Sequence, residues 1–105
     1  AEIERIRITL LVAYGSDIDA VKDLLISVAM TNDNVQNSPE PRVRFREFAE
    51  SGIELQLLFW IYKPEIRGRT VDAVNTEIYK QFSQNNISIP YPTMKVILPR
   101  EGNNS

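Results

Sequence analysis

Apolar residues recur in this chain at two spacings, and the order in which those spacings follow one another leaves few architectures open. Over residues 5–14 they alternate. Ile6, Ile8, Leu10 and Val12 share one face, while Arg5, Arg7, Thr9 and Leu11 share the other, which is the period of a half-buried strand. Gly15-Ser16-Asp17 then reads as a turn and helix start. Ser16 and Asp19 have capping-box spacing, and Asp17 and Asp19 suit the positive end of a helix. Over 17–32 the spacing lengthens to that of a helix, with Val21, Leu24, Leu25 and Val28 on one stripe. Residues 33–41 form a polar loop closing on Pro39-Glu40-Pro41. A second strand is expected from Arg42 to about Glu50, with Val43 and Phe45 inward and Arg42, Arg44 and Arg46 outward. Phe48 falls out of phase with it, which places a bulge near Glu47. Ser51-Gly52 turns the chain into a third strand, Ile53 to Tyr62. A second helix is expected over about 67–84 on Val71, Val74, Ile78 and Phe82. The proline-stiffened run Ile87 to Pro92 leads to a fourth strand from Thr93 to Leu98, ended by Pro99.

The order is β-α-β-β-α-β. Two split βαβ units joined by a hairpin make the ferredoxin-like α+β sandwich, a four-stranded antiparallel sheet with two helices on one face. A single domain over 1–105 is expected, with an ordered core of about 5–98 and a polar tail at 99–105.

The residue inventory removes many functions. The chain has 105 residues with no histidine and no cysteine. There is therefore no imidazole base, no thiol nucleophile and no thiolate metal or cluster site. Asp17, Asp19 and Asp23 cluster at the first helix, where dipole complementation explains them more simply than a metal does. Gly15 and Gly52 are read as turn residues. Glu65, Arg67 and Arg69 surround Gly68 before the second helix. Acylphosphatases share the topology and use a loop arginine, but here no glycine-rich cradle follows the first strand: Tyr14-Gly15-Ser16-Asp17 puts an acid where phosphate would sit. The expectation is a non-enzyme with no catalytic residue, no bound metal and no cofactor. No apolar run is long enough to span a bilayer.

In this topology one face of the sheet is left open, carrying Arg7, Thr9 and Leu11 from the first strand and Gln56, Leu58, Trp60 and Tyr62 from the third. An exposed patch of Leu11, Leu58, Trp60 and Tyr62 would mark an interface. RNA is the sharper alternative, because ferredoxin-like RNA modules stack bases on such aromatics. The basic-glycine-aromatic signature is absent, however, and the formal net charge is −2, so no nucleic-acid partner is expected. Arg42, Arg44 and Arg46 form the basic stripe. They read either as an anion site or, the simpler account, as charges that keep an edge strand from pairing with another chain.

Three segments resemble a known family. Val12-Ala13-Tyr14-Gly15-Ser16-Asp17-Ile18-Asp19 carries a Tyr-Gly-x-Asp element. Ser51-Gly52-Ile53-Glu54-Leu55-Gln56-Leu57-Leu58-Phe59-Trp60 is a strand ending in Trp. Ile87-Ser88-Ile89-Pro90-Tyr91-Pro92-Thr93-Met94 is similar to an Ile-x-Ile-Pro-(Phe/Tyr)-Pro-Gln block, with Thr93 where Gln is usual. Together they resemble the carboxy-terminal cytoplasmic α/β domain of small-conductance mechanosensitive channels. The resemblance implies a vestibule and oligomerisation domain of a homoheptameric membrane channel that releases ions and osmolytes under tension. It makes this chain a scaffold on the cytoplasmic side, without the pore. The partners it implies are neighbouring subunits of the same channel, and the membrane through segments upstream. The missing initiator Met and the start close to a strand fit a piece of a longer membrane protein. Leu11, Leu58, Trp60 and Tyr62 are the contact candidates, followed by Pro90, Tyr91 and Pro92, whose stiff Pro-x-Pro run sets where the last strand points. A free-standing ferredoxin-like module binding RNA or a small ligand is the alternative.

Overall fold

The computed structural model describes residues 4–90. Strand β1 (Glu4–Val12), helix α1 (Ile18–Met30), strands β2 (Arg42–Phe48) and β3 (Ile53–Ile61) and helix α2 (Arg67–Gln84) follow in that order, with a single 3-10 turn at Pro64–Ile66. The three strands form an antiparallel sheet ordered β1-β3-β2. The fourth strand expected at 93–98, and the polar tail after it, lie outside the described residues.

The alternation read from the sequence decides which side is buried. Ile6 and Val12 of β1, Ile53, Leu55, Leu57, Phe59 and Ile61 of β3, and Val21, Leu25, Val28, Val74, Ile78 and Phe82 of the helices belong to one core. Both helices therefore cover the same face of the sheet. The bulge expected near Glu47 is present as a register shift between Phe45 and Glu47. The extra residue brings Phe48 onto the face of Phe45, and the two rings meet edge-on with centroids 5.0 Å apart.

The helix ends differ in detail from the capping box expected at Ser16. Asp17 is the N-cap, and its carboxylate accepts from the Ala20 N–H at 3.2 Å. The Ser16 hydroxyl is engaged elsewhere, donating to the Ala13 carbonyl at 2.6 Å and closing the turn that Gly15 makes at φ +94°. Helix α2 ends in a Schellman motif. Asn86 adopts φ 57°, and the Ile87 and Asn86 N–H groups return to the carbonyls of Phe82 and Ser83. Beyond it the Ser88 carbonyl accepts from the Ala13 N–H at 3.0 Å, beside the end of β1.

One segment read as a plain loop is part of the core. Asn34, Val35 and Gln36 are buried, and Val35 bridges to Ile61. The Gln36 N–H donates to the Trp60 carbonyl at 2.8 Å, and the Tyr62 N–H donates to the Asn34 carbonyl at 3.0 Å. This short piece continues the sheet beyond the start of β2.

Candidate functional site

The register across the open face sets what can act together there. Arg5 lies opposite Trp60, Arg7 opposite Leu58, Thr9 opposite Gln56 and Leu11 opposite Glu54. On the other side of β3, Arg42 lies opposite Leu58 and Arg44 opposite Gln56. Antiparallel pairing thus sets the charged start of β1 beside the aromatic end of β3. Leu11 and Leu58 stand four residues apart along the strands, about 13 Å, with Thr9 and Gln56 between them. The four contact candidates do not form one continuous apolar patch. Leu58 is 3% exposed, Leu11 and Trp60 are half-buried, and the Arg42 guanidinium lies over the Trp60 ring, 5.8 Å from its centroid. Tyr62 is 51% exposed, but it belongs to a separate depression at the end of the sheet with Asp33, Asn34, Lys63 and Ile66. Pro90 is half-buried and its ring packs against Gly52. Tyr91 and Pro92 lie outside the described residues.

The open face is dominated by arginine. Arg5, Arg7, Arg42, Arg44 and Arg46 are all exposed. The sequence pointed to the stripe on the second strand and put Arg7 on the same open face; the register adds Arg5 and sets both across β3 from that stripe. Arg67 begins α2, at the bound expected for the second helix, and pairs with Glu4 at 2.8 Å.

The apolar surface that the sequence missed lies on the opposite side of β2. This strand is a sheet edge among the described residues, and almost all of it is exposed. Phe48 is 77% exposed and Phe45 36%, although α1 packs against this strand. Tyr14, 52% exposed, donates its hydroxyl proton to the Ala49 carbonyl at the end of the same strand. A phase-shifted Phe48 was the sequence signal for this patch.

A wide groove of about 740 Å³ runs between the start of α1 and the end of α2, and Asp17 and Asp23 are its charged walls. Its two serine hydroxyls are occupied, Ser16 with the Ala13 carbonyl and Ser27 with the Leu24 carbonyl. Among the described residues no three acidic side chains converge as metal ligands would, and no helix is long and apolar enough to cross a membrane.

Comparison with known proteins agrees with the geometry. Residues 6–89 match the family model described as the C-terminal part of the mechanosensitive ion channel MscS. The mechanosensitive channel MscK of Escherichia coli is 34% identical over 97 residues, covering 92% of this chain and 9% of that protein. An uncharacterized MscS family protein of Haemophilus influenzae is 31% identical over 94 residues, covering 90% and 8%. The chain therefore spans less than a tenth of the length of these two relatives. In fold it is similar to Helicobacter pylori MscS in its closed state, with a TM-score of 0.73 at 19% identity over 95% of this chain and 40% of that one. It is similar also to Arabidopsis thaliana MSL1, with a TM-score of 0.72 at 16% identity over 88% and 35%. A three-stranded antiparallel sheet with both helices on one face, carrying the Tyr-Gly-x-Asp and Ile-x-Ile-Pro elements, thus belongs to the MscS family of mechanosensitive channels, as its carboxy-terminal domain.

Proposed function

We propose that this chain is a scaffold of the cytoplasmic vestibule of a tension-gated channel, packing against neighbouring copies and taking no part in forming the pore. Family membership supports the channel setting. The observation that carries the packing role is the edge of β2, where two phenylalanines lie exposed on a strand whose outer side has no neighbour among the described residues. Burying an aromatic ring removes some 150–250 Å² from water, so the Phe45–Phe48 pair is a natural anchor for a second subunit. Tyr62, Leu11, Trp60 and the Pro90–Pro92 run are secondary contacts in this reading. The ring of seven subunits and the cytoplasmic location come from the family resemblance. The four-stranded ferredoxin-like sheet likewise requires a strand after Pro92.

The test uses the full-length protein. Phe45→Glu with Phe48→Glu is expected to shift the purified channel from its oligomer to smaller species in native mass spectrometry and to reduce survival of hypo-osmotic shock. An unchanged oligomer with an unchanged tension threshold in patch-clamp recording would overturn the proposal.

A further inference from the structure

We propose that the open face of the sheet holds a binding site for the phosphate groups of a soluble di- or triphosphate-bearing molecule. This rests on the geometry of that face and is independent of the channel reading. Arg5, Arg7, Arg44 and Arg46 line a depression of about 150 Å³ with Gln56 and Leu58. Two of these arginines come from β1 and two from β2, and the central strand supplies Gln56 and Leu58 between them. Four guanidiniums gathered around so small a volume repel one another. Among the described residues none of the four has a carboxylate within ion-pair distance, and the one ion pair found there joins Arg67 to Glu4, outside the depression. A bound polyanion supplies the missing countercharge.

The chemistry of the walls selects the anion. Guanidinium forks bind phosphate oxygens in pairs. A di- or triphosphate offers several tetrahedrally arranged oxygens, enough to engage arginines on both sides of the depression at once. A single carboxylate has only two oxygens and cannot engage all four. Gln56 adds a neutral amide that can donate to a remaining oxygen. Base stacking does not contribute, because Arg42 already covers the Trp60 ring. The ligand is therefore read by its phosphates. A soluble source fits better than a lipid headgroup. The exposed large apolar residues among those described are Tyr14, Met30, Phe45, Phe48, Tyr62, Tyr79 and Ile89, and none of them borders the depression to enter a bilayer.

The test is isothermal titration of the full-length protein in detergent with sodium tripolyphosphate at low salt. Saturable binding is expected, one site per chain, and Arg7→Gln with Arg44→Gln should weaken it by about tenfold or more. Arg67→Gln removes the same kind of charge outside the depression and should leave binding unchanged. Thermal melting of each variant separates lost binding from lost folding. In a second arm, short-chain phosphatidic acid should bind more weakly than tripolyphosphate. Three results would each overturn the assignment: no saturable binding of tripolyphosphate, equal weakening by Arg67→Gln, or tighter binding of the phosphatidic acid.

Discussion

Asn34 ties together three parts of the fold that are distant in sequence, and removing its amide should be among the most damaging polar substitutions in the chain. Its Nδ2 donates to the Lys63 carbonyl at 3.2 Å and to the Thr70 hydroxyl at 2.9 Å. Its Oδ1 accepts from the Lys63 N–H at 2.9 Å. The side chain thereby joins the segment after α1 to the end of β3 and to the first turns of α2, and Asn34 itself is only 7% exposed. Asn34→Ala deletes all three bonds and strands the partner groups. At about 1 kcal/mol for each bond lost, the cost is about 3 kcal/mol. Water reaching Lys63, which lies at the surface, lowers that toward about 2 kcal/mol. For a domain of this size such a loss moves the melting temperature by about 10–20 °C. The assay is thermal and urea unfolding followed by circular dichroism, with Asn37→Ala as an exposed control expected within about 0.5 kcal/mol of the parent. Thr70→Val removes two bonds, the one it accepts from Asn34 and the one it donates to the Ile66 carbonyl, against three for Asn34→Ala, and should cost less. The double variant should fall short of additivity, since both substitutions break the same Asn34–Thr70 bond. Asn34→Ala costing under about 1 kcal/mol, or strict additivity with Thr70→Val, would refute the reasoning.

Further outcomes follow from the same geometry. Gly52→Ala would set a Cβ 2.5 Å from the Val12 carbonyl oxygen and 2.9 Å from Pro90 Cγ; a backbone oxygen cannot swing aside, so a loss of about 1–3 kcal/mol is expected in urea unfolding. At Asn86, held at φ 57°, a valine should cost about 1–2 kcal/mol, whereas glycine should be neutral or mildly stabilising. Arg42→Ala should uncover Trp60, the sole tryptophan. Its fluorescence should then shift to the red and quench more readily with acrylamide, while the melting temperature changes by no more than a few degrees.

The alternating runs of β1 and β3 and the stripe of α1 were legible because each has one face buried and one face not, so period alone assigns them. The bulge was legible because Phe48 broke the alternation. Asn34 and Gln36 were not legible. Polar residues between a helix and a proline pair carry the composition of a loop, and only partners far along the chain, Lys63 and Thr70 for Asn34 and the Ile61 carbonyl for Gln36, make them core. The open face was half legible. Period put Arg7, Thr9, Leu11, Gln56, Leu58 and Trp60 on one face, but only the residue-by-residue register sets Arg5 and Arg7 opposite Trp60 and Leu58 and keeps Leu11 apart from them, and Tyr62 falls in a separate depression. The exposure of Phe45 and Phe48 is a matter of tertiary packing around an edge strand, which no local pattern encodes.

The segment leaving α2 is anchored at two points, through the Ser88 carbonyl on Ala13 and the Pro90 ring on Gly52. Mechanically these are clamps in series. A pull arriving from the carboxy-terminal side of Pro90 loads the β2–β3 turn first, the end of β1 next and the Schellman end of α2 last. Strain of that kind would be shared by the sheet before any turn of helix unwound, so the domain should bear traction along its backbone as a stiff unit.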